Sequence, residues 1–538
     1  MKLPNMRYAD RITKEKQVKF GGLNHTYGAG DGELWDMKNL TSDHYPLLAT
    51  RMQRMKIRQL SASGGIYCRE KLCWVDGRDF YYDSAKKGTL PTAGQKVFAA
   101  LGIYIIIAPD MAYYNTEDGT FGQLAKAWTG SSLTFQNGSY KEEAAEANTI
   151  YAAGVNWSDY FSPGDGVTIE GCTKHPDNNK TPIIREIDGD KLYFYENTFV
   201  LDGEEGTTAY TENGELKISR TVPELRFLCE NENRLWGCDG NTIYASKLGD
   251  PFNWNVYEGL ATDSYAVDTG SAGSFTGCIS YLGYPVFFKE DHIYKVYGSQ
   301  PSNYQVMGSA TLGLAAGSDR SLAVAGEILF YLSRAGIMAY SGGIPQPVGA
   351  AFGTAHFRNA VGGSDGLKYY VCMEDGRGTR LYVYDVQRRL WHIEDGCAAA
   401  GFVRQGSSLY MLLENGEVWK IGQGEDLPDG AEAEGPVEWM AEFGDFTEDD
   451  PNKKGVSKIQ IRLELEDGAS ARVEMQFDSS GEWQPVGQML TAERKQSFYL
   501  PIVPRRCDHY RLRLSGVGGC KIYSMVRESY SGSELRRH

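Results

Sequence analysis

One unit recurs along this chain and narrows what it can fold into: a short apolar strand, a polar turn, and a second strand ending on an aromatic residue. The clearest copies are Leu72-Cys-Trp-Val-Asp-Gly-Arg-Asp-Phe-Tyr81, Arg234-Leu-Trp-Gly-Cys-Asp-Gly-Asn-Thr-Ile-Tyr244 and Ser408-Leu-Tyr-Met-Leu-Leu-Glu-Asn-Gly-Glu-Val-Trp419. Asp-Gly and Asn-Gly accept the positive φ of a tight turn, so each copy reads as a β-hairpin. Looser copies begin at Gly102, Pro285, Ile328 and Lys368. In the C-terminal half the turns return roughly every 40–50 residues, the period of four-stranded propeller blades. The expectation is an all-β chain built on a β-propeller of six to eight blades, about seven fitting best.

The rhythm breaks between the turns near Asp110 and Asp239, where roughly 90 residues exceed the period. This stretch holds a helix-prone segment, Lys141-Glu-Glu-Ala-Ala-Glu-Ala-Asn148, followed by strand-like runs at 166–170, 183–187 and 191–195. It reads as a small inserted β-barrel or sandwich over residues 128–221, dividing the propeller into 51–127 and 222–430. A Gly, Pro and acid-rich run, 422–436, has linker composition. Beyond it, Lys458-Ile-Gln-Ile-Arg-Leu-Glu-Leu-Glu466, 471–477 and 508–514 alternate apolar and charged residues, predicting an antiparallel β-sandwich over 435–538. Residues 1–50 lack a blade pattern and read as an extended arm. Phe20, Leu23, Trp35, Asp36, Asn39 and Tyr45 are its candidate assembly contacts, with docking on a neighbouring subunit and packing on the chain's own propeller both open.

Composition bears on partners. With 70 Asp and Glu against 55 Lys and Arg, the net charge is −15, which argues against wrapping nucleic acid by neutralising phosphates. The basic alternation Arg51-Met-Gln-Arg-Met-Lys-Ile-Arg58 fits an exposed or edge strand protected by charge better than the wall of a DNA channel. No apolar run approaches a membrane span and no leader is recognisable, so membrane insertion is not expected. Ten cysteines without C-x-x-C pairs predict buried free thiols. The N-x-S/T sequons at Asn24, Asn39, Asn137, Asn156 and Asn179 receive no role without an export signal.

Catalytic chemistry is thin. There is no Gly-x-Ser-x-Gly elbow, no phosphate-cradling P-loop and no His-Glu-x-x-His. Cys172 and His175 stand without further ligands, so no metal or cofactor is expected. Asp478-Ser-Ser-Gly-Glu-Trp483 is faintly similar to a sialidase Asp-box but occurs once and reads as a plain turn. A glycosidase needs only two carboxylates, and among so many acids no pair is informative. The expectation is a protein without catalytic residues, a carbohydrate-binding or glycoside-hydrolysing propeller being the alternative, including a receptor-binding tail protein.

The stretch Phe20-Gly-Gly-Leu-Asn24, then Gly30-Asp-Gly-Glu-Leu-Trp-Asp-Met-Lys-Asn-Leu-Thr-Ser-Asp-His-Tyr-Pro46 and Arg51, resembles the opening of structural proteins of tailed bacteriophages found in prophages of gut Firmicutes. Ser246-Lys-Leu-Gly-Asp-Pro-Phe-Asn-Trp254 is similar to a recurrent blade motif of that family, and a sandwich following a propeller is similar to its tail-hub members. The resemblance implies a tail hub or nozzle: a homo-oligomeric ring, commonly a hexamer, beneath the portal and adaptor of the virion. Genomic DNA would pass through it without sequence-specific binding. It implies assembly in the host cytoplasm and carries over no catalytic residue. Acidic walls facing such a channel would repel phosphates.

Overall fold

The computed structural model describes residues 12–139, 146–202, 209–422, 430–448, 453–490, 494–503 and 505–531. Among them there is no α-helix, only antiparallel strands and short 3-10 turns. The predicted hairpins form where the turn residues place them, for example Leu72–Asp76 with Asp79–Tyr82 and Arg234–Asp239 with Thr242–Ala245. Gly77 and Gly240 take the positive φ those turns need, +65° and +52°. Residues 1–68 with 317–538 make one compact unit, and 69–316 a second.

In the second unit, the hairpin 72–82 continues into Ala85–Thr89. Three four-stranded meanders follow, spanning 97–123, 227–268 and 277–310. Their first strands lie side by side, Val97–Leu101 against Phe227–Asn231 and that against Gly277–Tyr281. Gathering first strands in this way defines propeller blades. Apolar residues fill the spaces between consecutive sheets, with Leu101, Ile106, Leu228 and Leu235 in one cluster and Trp236, Cys238, Phe287 and Tyr294 in the next. Central strands are therefore covered on both faces, and Ile105–Ala108 is wholly buried. This explains why such strands read as unbroken apolar runs rather than alternating ones.

The insertion is one six-stranded antiparallel sheet running from Lys126 to Arg220. Backbone hydrogen bonds from Val167 N to Pro182 O and from Ile169 N to Lys180 O draw its two edges together. The sheet thus curls around its own core of Trp128, Phe135, Trp157, Phe194 and Ile218. The helix expected near 141–148 is not formed at its end: Glu146–Tyr151 is a strand paired with Thr134–Ser139. Pairing on both sides overrides the helical propensity there. Residues 141–145 lie outside the described residues.

In the first unit, meanders span 323–347 and 358–393. The next sheet takes three strands from 399–421, and Met55–Gln59 completes it by pairing antiparallel with Glu417–Ile421. A strand from the chain's beginning thus closes a sheet from near its end. Glu432–Ala433 flanks this strand at Met55 and Lys56, while Arg58 and Gln59 remain exposed as an edge strand would leave them.

The C-terminal sandwich is broader than 435–538, because strands from residues 12–50 belong to it. Leu34–Lys38 pairs with Glu438–Phe443 in one sheet. Ile12–Gln17 and Leu48–Thr50 both pair with Cys520–Ser531 in the other. Between the sheets lie Trp439, Phe443, Ile459, Ile461, Val473, Leu512, Leu514 and Met525. The same cluster continues through Phe20, Leu23 and Leu34 to Phe330, Tyr369 and Trp391 of the meanders, so sandwich and blades of this unit share one core.

Candidate functional site

The segment 20–54 is where chemistry-bearing side chains concentrate. It begins as a strap laid against the meander 358–393. Leu23 N donates to Trp391 O at 2.7 Å, Leu34 N to Gly22 O at 3.1 Å and His25 N to Ala351 O at 2.7 Å. Gly22 is required by proximity, since a Cβ there would stand 2.3 Å from Trp391 O. Of the two placements left open for the arm, packing within its own unit is present from residue 12 onward.

The six candidate assembly residues share in that docking. Phe20 and Leu23 are 2% and 3% exposed in the shared core, and the Phe20 ring lies 6.2 Å from that of Phe443. Trp35 is half-buried beneath the Arg511 guanidinium, 5.4 Å away, and Asp36 accepts from Arg380 Nη1 at 3.2 Å. Tyr45 is half-buried with Lys19 and Arg388 over its ring at 5.8 and 5.7 Å. Asn39, buried with φ +55°, is the pivot. Its amide Nδ2 donates to Glu438 O at 2.8 Å, and its Oδ1 accepts from Arg51 Nε at 2.8 Å.

Sequence reasoning missed the ion cluster that this pivot opens onto. Arg51 and Arg54, 6% and 5% exposed, do not face solvent or a channel. Arg51 grips Glu434 with both terminal nitrogens, at 2.7 and 2.8 Å, and Arg54 holds Glu394 at 2.6 Å and Asp395 at 2.9 Å. Burial resists ionisation of Asp395, but the Arg54 charge and hydrogen bonds outweigh it and hold the carboxyl below the usual range. Glu434 is treated likewise, its burial offset by the bonds from Arg51 and the Arg54 backbone N–H. Beside the cluster, Lys368 Nζ meets Asp43 at 2.5 Å, and Ser42 Oγ donates to Asp385 at 2.6 Å. His392, buried alongside, is lowered to about 4, first by desolvation and then by Lys368.

Two cavities open on either side of Arg51 and Met52. One, of about 190 Å³, is lined by Asp43, Asp365, Lys368, Tyr370 and Glu394; the other, of about 460 Å³, by His44, Gln53, Glu464, Glu466 and Lys521. Asp365 accepts from the backbone N–H groups of Leu367 and Lys368 and from the Tyr370 hydroxyl, so the smaller cavity's carboxylates are all engaged. Every carboxyl with a resolved shift among the described residues lies below its usual value, for instance Asp43, Asp385, Glu417 and Glu434. A general acid needs the opposite displacement. The cluster joins four segments of chain, 39–54, 368, 394–395 and 434.

The other singled-out residues resolve individually. His175 Nε2 turns to Asp202 at 2.6 Å, while Cys172 is buried in the insert core, its thiol pushed up to about 11 by desolvation. Among the described residues no group of three or more His, Cys, Asp or Glu is arranged to hold a metal ion. Asp478 closes a turn by accepting from Asp508 N at 2.7 Å, and Trp483 is covered by the Arg513 guanidinium at 3.9 Å. The motif Ser246–Trp254 is a clasp on the insertion. Asn253 donates to Asp165 at 3.0 Å and accepts from Gly166 N at 2.9 Å, while Asp165 is ion-paired with Arg220 at 2.5 Å. Phe252 stands edge-on to Tyr104 and Tyr113, and Trp254 is buried below.

Fold and site together define an all-β protein of β-propeller type with an inserted β-domain and a C-terminal antiparallel sandwich, whose buried charge cluster is built as a fastening. No family model and no curated protein matches the chain. Among solved structures it is similar to BamB from Moraxella catarrhalis, with 10% identity and a TM-score of 0.32 over 70% of this chain and 98% of that one. The computationally designed Ika8 protein gives 9% identity and a TM-score of 0.22, covering 69% and 100% of the two chains. A glycoside hydrolase family 43 arabinoxylan arabinofuranohydrolase from Bacillus subtilis gives 10% and 0.19, covering 88% and 97%. These superpositions are loose, and the architecture rests on the strand order of the sheets themselves. No helix among the described residues is long and apolar enough to cross a membrane.

Proposed function

We propose that this chain is a structural protein of a tailed bacteriophage virion, a tail hub or nozzle that assembles into a closed ring below the portal and adaptor and retains and releases the genome. The observation that carries the reading is the strap. The residues that resemble the phage family, 20–51, are the ones that bind sandwich to blades through a shared core and a buried ion cluster. A wall under pressure from packaged DNA needs rigidity more than an open reactive site, and a propeller leaves few unprotected sheet edges. The charge of −15 suits a conduit that does not retain phosphates.

The test is assembly of the full chain, alone and with portal and adaptor proteins, followed by mass photometry and electron-microscopy class averages. The expected result is a closed ring, six subunits being the first expectation, with an axial channel of about 20 Å or more, enough for a B-DNA duplex. A chain that stays monomeric with every virion partner, and that binds oligosaccharides on a glycan array, overturns the proposal in favour of a carbohydrate-directed propeller.

A further inference from the structure

Each of the two units holds a pair of thiols between consecutive sheets. Cys372 lies in the strand Lys368–Asp375, and Cys397 in the segment that leads from Leu390–Ile393 into the next sheet at Ala399–Gln405. Their sulfurs are 3.8 Å apart. Cys372 is buried and Cys397 half-buried, within the cluster that packs the meander 358–393 against the following sheet. In the second unit, Cys229, buried in Phe227–Asn231, and Cys278, half-buried in Gly277–Tyr281, lie in the adjacent first strands of consecutive sheets and pack in one apolar cluster, where Cys278 and burial push the Cys229 thiol well up.

We propose that both pairs are sites of oxidative modification, in which a small-molecule disulfide converts each into a cross-link that latches one blade to the next. The half-buried member, Cys397 or Cys278, is the one a diffusing reagent reaches. Its thiolate attacks one sulfur of oxidised glutathione, forming a mixed disulfide and releasing one glutathione thiolate. The buried member, Cys372 or Cys229, gives up its proton and attacks the protein-side sulfur. The second glutathione leaves. Two protein thiols lose two hydrogens and one glutathione disulfide becomes two thiols, so the exchange balances. Closure brings sulfurs from 3.8 Å to the bonding distance of about 2.05 Å, a movement within reach of side-chain rotation. The latches stay open in a reducing cytoplasm and close in an oxidising medium, whether or not the chain is a tail hub. The hydrogen bond from Cys372 and burial push the Cys397 thiol well up, so closure accelerates in alkaline solution.

The full native chain is incubated with oxidised or reduced glutathione at about pH 9, where the raised Cys397 thiol ionises more than at neutrality, then analysed by intact mass and non-reducing peptide mapping. The expected result is loss of two hydrogens per pair, peptides cross-linked between Cys372 and Cys397 and between Cys229 and Cys278, and a raised Tm that reductant reverses. Cys372→Ser should stop at a glutathione adduct on Cys397. The proposal is overturned if these four cysteines remain thiols in the native chain under conditions that oxidise the urea-unfolded chain. It is equally overturned if the cross-links join other cysteines, or if wild type keeps the adduct without closing. Should Cys372→Ser fail to fold, the wild-type map still decides between these outcomes.

Discussion

Arg54→Met tests whether the buried ion cluster fastens the first unit. The side chain is 5% exposed and pairs with Glu394 and Asp395 at 2.6 and 2.9 Å. Removing one partner from a buried pair costs about 3–5 kcal/mol, because a charge is left desolvated without compensation. Arg51 stays within 3.6 Å of Glu394 and 3.5 Å of Asp395, so the low end, about 3 kcal/mol, applies. The unit spans about 290 residues. At about 2.1 cal/mol/K of unfolding entropy per residue, its midpoint should fall by about 5 °C. The pH dependence gives a second signature. Asp395 is depressed in the fold, so its contribution is complete above the ordinary carboxyl value of about 4 and is lost as pH falls through its folded value. Without Arg54 that depression shrinks, and the gap between wild type and variant should narrow below about pH 4. Differential scanning calorimetry of the full chain at neutral and acid pH measures both, with Arg54→Lys as an intermediate that keeps charge but loses the planar fork. A neutral-pH drop under about 1 °C would refute the claim that the cluster carries stability.

Three further outcomes follow from the same packing. His392, lowered to about 4 chiefly by desolvation, is neutral in the fold and charges on unfolding. Stability should therefore fall by about 3 kcal/mol as pH drops from about 6.5 towards 4, and His392→Gln should flatten that slope in pH-resolved urea denaturation. Gly22→Ala places a methyl 2.3 Å from Trp391 O and should cost about 1–3 kcal/mol by thermal melting, with a changed near-UV circular dichroism from the displaced indole; an unchanged melt would mean the strap yields freely. Asp165→Ala strands the buried Arg220 guanidinium and should cost about 3 kcal/mol, read as faster proteolysis within 126–220 while the blades stay resistant.

Much of the fold was legible because hairpins are local. Asp76-Gly77 and Asn415-Gly416 set their turns by backbone preference alone, and apolar runs such as Ile105–Ala108 mark strands covered on both sides. The insertion announced itself by interrupting the period, and the alternation at 458–466 by matching a sheet with one wet face. At 146–148 helical propensity misled because helix preference is worth tenths of a kcal/mol per residue, less than a strand gains between two partners.

What the sequence could not disclose are pairings between distant residues. Met55–Gln59 carries no mark that its partner is Glu417–Ile421, and Arg51 none that Glu434 will meet it. Arg51 and Arg54 read as surface until the fold supplies the acids that allow them to be buried. Cys372 and Cys397 likewise look like two unrelated thiols until consecutive sheets bring their sulfurs together. The sequence by itself determined turns, periodicity and class, which arise from interactions within a few residues. The tertiary structure alone decided which charges are stapled, where the arm packs and which thiols face each other, because each of those depends on the burial and proximity that only long-range closure of the sheets creates.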